Sequence, residues 1–73
     1  MEVVIGFKDS ARDVTFETDL TADVIRERVN LAIESEGILH LEAKKNREFS
    51  IAAKAIAFVE IREADTRRVG FGL

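Results

Sequence analysis

One stretch of this chain carries helical periodicity, and the other apolar stretches are short runs of strand length. At about 100° per residue, Ala22, Ile25, Val29, Ala32 and Ile33 share one stripe, the apolar face of an amphipathic helix. The pattern predicts a helix over residues 22–35. Thr21 is its expected N-cap, Asp23 suits the positive end of the dipole, and Gly37 is the expected left-handed residue beyond its C-terminus. Val24 and Leu31 lie seven residues apart on nearly the opposite side of that helix. They are too few for a second core and are candidate partner contacts.

The remaining apolar segments read as strands. Val3-Val4-Ile5-Gly6-Phe7 places Val3, Ile5 and Phe7 on one face, with Val4 and Gly6 on the other. Asp9-Ser10-Ala11-Arg12 turns the chain into Asp13–Thr18, whose Val14 and Phe16 point inward, completing a β-hairpin. After the helix, residues 38–43 place Leu39 and Leu41 on one face and Ile38, His40 and Glu42 on the other. Lys44-Lys45-Asn46-Arg47 forms a turn in which Asn46 tolerates a left-handed backbone. Residues 48–51 form a fourth strand and residues 52–55 a short corner. Residues 56–61 form a fifth strand, apolar on both faces as a central strand is. Residues 63–66 then turn the chain toward a closing segment, residues 66–73, read as a last strand or a tail.

The order strand, strand, helix, strand, strand, strand, with or without a final strand, is that of a two-layer α+β domain. One helix packs on one β-sheet, and the domain covers residues 1–73. The first and fifth strands are the most apolar, so both are expected in the middle of the sheet. This element order resembles the β-grasp, or ubiquitin-like, arrangement; an antiparallel meander crossed by a helix is the alternative. A single helix covers only one face of a sheet. Val4, Ile38 and either Val59 with Ile61 or Ile56 with Phe58 are therefore expected on the far face. A large uncovered apolar patch is unusual in a monomer, so the C-terminal segment or another subunit is expected to cover it.

Composition raises the same expectation. A chain of 73 residues buries only about 60% of its unfolded surface, and domains of this size are commonly reinforced by disulfides, metals or oligomerisation. There is no cysteine and one histidine, His40, so disulfides and thiolate metal sites are excluded and self-association is favoured. The net charge of −3 is uneven: residues 1–23 hold six carboxylates against two cations, and residues 44–54 hold four cations against one carboxylate. An acidic molecule with one basic corner argues against broad nucleic-acid binding and leaves room for one local anion contact. No apolar run approaches the roughly 18 residues of a membrane span, and the N-terminus lacks a signal-peptide core. A cytoplasmic protein is expected.

Catalytic signatures are sparse. His40 lies in mid-strand beside Glu42, and no serine stands in a G-x-S-x-G context. Glu34, Glu36 and Glu42 near His40 match no metal-ligand spacing and read as a solvated acidic rim. Glu60, between Val59 and Ile61, reads as a half-buried partner of an arginine. No phosphate-binding loop occurs, and Gly70-Phe71-Gly72 has no helix after it. No catalytic, cofactor or metal residue is assigned, and the chain is read as a non-enzymatic module that self-associates or docks a protein partner. That reading uses the open sheet face and the closing segment, with Val69 and Phe71 as anchors beside Val24 and Leu31. The alternative is a small nucleotide- or anion-binding domain using Lys44, Lys45 and Arg47 with Arg67 and Arg68.

The opening Met1-Glu2-Val3-Val4-Ile5-Gly6, the segment Ile56-Ala57-Phe58-Val59-Glu60-Ile61 and the ending Arg67-Arg68-Val69-Gly70-Phe71-Gly72 together resemble a family of small actinobacterial proteins. That family is known as a domain of unknown function. The resemblance spans essentially the whole chain and implies an actinobacterial cytoplasmic protein. Its members sometimes carry an ATP-binding label, for which this sequence holds no nucleotide motif.

Overall fold

The computed structural model describes residues 1–63; the closing segment, with Arg67, Arg68, Val69 and Phe71, lies outside the described residues. Strand β1 (Glu2–Phe7) pairs antiparallel with β2 (Asp13–Glu17), in a register that sets Val3 against Phe16 and Ile5 against Val14. On its other side β1 pairs with β5 (Ile56–Arg62), also antiparallel. Helix α1 (Ala22–Ser35) falls where its periodicity predicts. Strands β3 (Ile38–Ala43) and β4 (Arg47–Ala52) form a separate antiparallel ribbon.

The fold is α+β as expected, with the strands divided between two sheets, β2-β1-β5 and β3-β4. At one end a short turn carries the chain from the ribbon into the three-stranded sheet, extending each ladder by one backbone bond. At the other, a backbone bond joins the two sheets directly. The Ala53 amide, in a single 3₁₀ turn (Ala53–Ala55), donates to the Gly37 carbonyl at 2.9 Å, and the Lys8 amide to the Ala55 carbonyl at 2.9 Å. At the opposite end the Lys44 amide donates to the Glu17 carbonyl at 2.8 Å. β1 is central as expected. For β5, β1 is the only strand neighbour among the described residues.

The core collects one face of every element. Val3, Ile5, Phe16 and Ile56 come from the three-stranded sheet, Leu39 and Leu41 from β3, and Ile25 and Ala32 from α1. Phe16 of β2 and Phe49 of β4 stack with ring centroids 4.4 Å apart, joining the sheets where backbone pairing does not. Such a pair contributes about 0.5–1.5 kcal/mol beyond its area burial.

A β-bulge decides which side chains of β5 reach the core. Gly6 faces Phe58, but Phe7 faces Ile56, so Ala57 is the extra residue on β5. One added residue reverses the side of everything before it. Ile56 therefore turns inward together with Val59 and Ile61, and Phe58 alone turns outward with Glu60 and Arg62. The expected apolar far face is corrected accordingly. It carries Glu2, Thr15, Glu60 and Arg62, with Val4 only 7% exposed and Phe58 47% exposed.

Two further expectations change at α1. Thr21 caps it as predicted, its hydroxyl accepting from the Val24 amide at 3.2 Å. The left-handed residue at its C-terminus is Glu36 (φ 53°), one position before Gly37. The Gly37 amide bonds the Ala32 carbonyl at 2.9 Å and the Glu36 amide the Ile33 carbonyl at 3.2 Å, the two bonds of a Schellman motif. Ile33, at the margin of the apolar stripe, is 52% exposed, because Ile25 and Ala32 set the face that meets the core.

Candidate functional site

Two of the four exposed large apolar side chains among the described residues, Leu31 and Ile38, lie along the seam between α1 and β3; Ile33 and Phe58 lie elsewhere. Alternation sends Leu39 and Leu41 into the core and leaves Ile38, His40 and Glu42 facing outward. The helix lies alongside and supplies Arg28, Leu31, Ala32 and Ser35 to the same groove. Leu31 is 58% and Ile38 51% exposed, while Ala32 between them is buried. The Ser35 hydroxyl donates to the Leu31 carbonyl at 2.9 Å, which occupies its hydrogen and leaves this end of the groove chiefly apolar.

The other end is polar and held by Arg28. Its Nη1 donates to Glu42 Oε1 at 2.8 Å and to the His40 carbonyl at 3.2 Å. That hydrogen bond, helped by the residue's own backbone, holds the Glu42 carboxyl below the ordinary glutamate range. Glu42 stands directly across the ribbon from Glu48, an unfavourable like-charge pair that the guanidinium offsets. His40 stands across from Ser50, with Nδ1 3.0 Å from its Oγ.

The same contacts close the exposed edge of β3. Arg28 takes the His40 carbonyl, and Thr18 Oγ1 donates to the Glu42 carbonyl at 2.7 Å. Edge strands with free carbonyls invite pairing with other chains, and these side chains block it. The groove therefore offers side chains to a visitor and withholds a backbone ladder.

The basic turn does not form a convergent site. Lys44 Nζ lies 3.6 Å from Asp19 Oδ1, and the Arg47 guanidinium lies over the Phe49 ring, 5.8 Å from its centroid. Lys45 is exposed, with a left-handed backbone (φ 67°) beside Asn46 (φ 60°). The shallow hollow at this turn also holds the carboxylates of Glu42 and Glu48. Among the described residues no group of three or more His, Cys, Asp or Glu is arranged to hold a metal ion. No described helix is long and apolar enough to cross a membrane.

A family model matches residues 1–72, nearly the entire chain. The chain belongs to DUF3107, described as a protein of unknown function. No curated protein matches it.

Of the predicted partner contacts in this DUF3107 domain, Leu31 lines the groove, while Val24, two turns earlier, is half-buried and does not. Val69 and Phe71 lie outside the described residues. Sequence reading placed Ile38 on an outward face without pairing it with Leu31. The available signal was proximity: the two residues flank the helix stop at Glu36-Gly37, which folds β3 back along α1. Glu60 does pair with an arginine, since Arg62 Nε lies 3.0 Å from Glu60 Oε2 and Nη1 3.2 Å from Glu2 Oε1, but the cluster is exposed. The Arg62 hydrogen bond lowers the Glu60 pKa, and the Arg62 pKa rises in return.

Proposed function

We propose that this DUF3107 protein is a non-enzymatic interaction module that self-associates or docks a protein partner through the open outer face of β3 where it meets α1, together with the C-terminal segment. One observation carries the reading: Leu31 and Ile38, each more than half exposed, line a single groove. Covering two such side chains contributes about 1–1.5 kcal/mol each. The setting implied by the family resemblance, the cytoplasm of an actinobacterium, belongs to the same reading. The test is a pull-down from cell extract with wild-type protein and the folded variants Leu31→Asp and Ile38→Asp, alongside sedimentation of each. A partner or second copy held by wild type and lost by both variants supports the module. Identical captures in all three, or no capture with a one-chain mass throughout, would sink it.

The nucleotide reading, which the ATP-binding label of relatives suggests, draws less support. Lys44 is engaged by Asp19, Arg47 by Phe49, and two carboxylates share the turn. Millimolar ATP that left the amide resonances of residues 44–47 and 67–72 unmoved would end it, since the reading also uses Arg67 and Arg68.

A further inference from the structure

The docking reading leaves the occupant open, and the charge around the groove narrows it. Leu31 is bracketed on its own helix by Glu27 and Glu34, four residues before it and three after, both exposed. Across the groove stand Glu42 and, in register beside it, Glu48. Against these four carboxylates the groove holds one guanidinium, Arg28, already bound by Glu42. An apolar floor inside an acidic surround selects a segment in which cations directly adjoin apolar side chains. This chain has two adjacent pairs of cations. Lys44-Lys45 is fixed in the ribbon turn, with Lys44 on Asp19. The other pair, Arg67-Arg68, immediately precedes Val69-Gly70-Phe71, whose apolar residues are two apart.

Topology indicates which copy supplies it. The apolar end of the groove, at Ile38, adjoins Gly37, which is bonded to Ala53 just before β5 begins. β5 then carries the chain the other way, to Arg62 opposite Glu2. β5 thus ends on the Glu2–Glu17 side of the domain, where Glu17 bonds Lys44 just beyond β3. A segment of the same chain must therefore turn back on itself to enter the groove, whereas one from a second copy enters directly. We propose that residues 67–71 of one copy dock in the α1–β3 groove of a second, with Val69 and Phe71 against Leu31 and Ile38, and Arg67 and Arg68 facing Glu27, Glu34, Glu42 and Glu48. A reciprocal exchange fills both grooves of a two-fold dimer. The proposal rests on the docking reading and fixes its partner.

The test is sedimentation equilibrium of the full chain from micromolar to millimolar concentration, with circular dichroism to show that each variant is folded. Wild type is expected to exceed the one-chain mass, and to do so less as salt is raised. Leu31→Asp and Phe71→Asp should each weaken association about tenfold or more. Joint Arg67→Glu and Arg68→Glu should weaken it similarly, and adding Glu27→Lys and Glu34→Lys to that chain should restore it. A one-chain mass for wild type up to millimolar concentration overturns the proposal. So does a failure of the charge exchange to restore association, or a Phe71→Asp variant that associates like wild type. If Leu31→Asp alone abolishes association, the groove reading stands and only this occupant is discarded. If wild type is a single chain whose groove amides shift on Phe71→Asp, the segment binds within its own chain and the second copy is discarded.

Discussion

The ring of Phe58 lies over Gly6, its cross-strand partner, so closely that a Cβ built on Gly6 would fall 2.1 Å from the ring edge. An aromatic covering a strand glycine compensates for the missing side chain, and here it does so beside the bulge that redirects β5. Gly6→Ala forces the ring outward or the strands apart. The expected cost is about 1–3 kcal/mol. Because Phe58 is 47% exposed, truncating it relieves the clash, so Gly6→Ala should cost markedly less in a Phe58→Ala background. A double-mutant cycle from urea denaturation measures that coupling, and strict additivity would show that the ring is not what excludes the Cβ.

Glu36 holds the left-handed position that ends α1, with φ 53°. A side chain at that backbone angle is strained, and glycine is not. Glu36→Gly should therefore stabilise the fold by about 0.4–1 kcal/mol, even after the added flexibility of the unfolded chain. In a domain of this size each kcal/mol moves the thermal midpoint by about 4–8 °C. A lower midpoint would mean that the Glu36 side chain contributes more than its backbone costs.

Thr18 is the one buried polar side chain among the described residues, 1% exposed, and its hydroxyl makes one bond to β3 and one within its own loop. It donates to the Glu42 carbonyl of β3 at 2.7 Å and accepts from the Leu20 amide, ahead of α1, at 3.1 Å. Thr18→Val keeps the shape and removes both bonds, stranding a carbonyl and an amide. The expected loss is about 2–4 kcal/mol. Chemical denaturation reads the cost, and faster amide exchange at Leu20 would locate it.

These cases mark how far the sequence could be read. Periodicities are local, so α1, the β1–β2 hairpin and the strand segments were legible, as were the Thr21 cap and the turn at Asn46. Register is not local. Nothing in Ile56-Ala57-Phe58 announces that Ala57 is the extra residue, yet that bulge turns Ile56 inward and separates it from Phe58, which stays on the far face. The division into two sheets was hidden similarly. Phe16 and Phe49 were each assigned to a strand, but their stacking between sheets depends on how the ribbon folds back. The basic turn was legible as a charge cluster. Its dispersal was not, because Asp19 reaches Lys44 from the loop before α1. The groove was half legible: Leu31 stood out as an apolar residue on a polar helix face, and Ile38 acquired its partner only once β3 lay alongside α1.

The Arg28–Glu42 pair predicts a specific pH response. Its hydrogen bond lowers the folded-state Glu42 pKa below the ordinary value of 4.5, and the Arg62 bond lowers Glu60 likewise. A carboxyl whose pKa is depressed by folding binds protons more readily in the unfolded chain. Its contribution is therefore complete above the unfolded value and lost as pH falls through the folded one. The urea midpoint of wild type relative to Glu42→Gln should hold steady from neutral pH down to about pH 5 and close toward zero near pH 3. In an Arg28→Gln background the same comparison should depend far less on pH, because the main cause of the shift is gone. Glu42 is exposed, so the whole effect should be small and should shrink with added salt. A gap that widened as pH fell below 4.5 would have the wrong sign and would exclude the Arg28 hydrogen bond as its source.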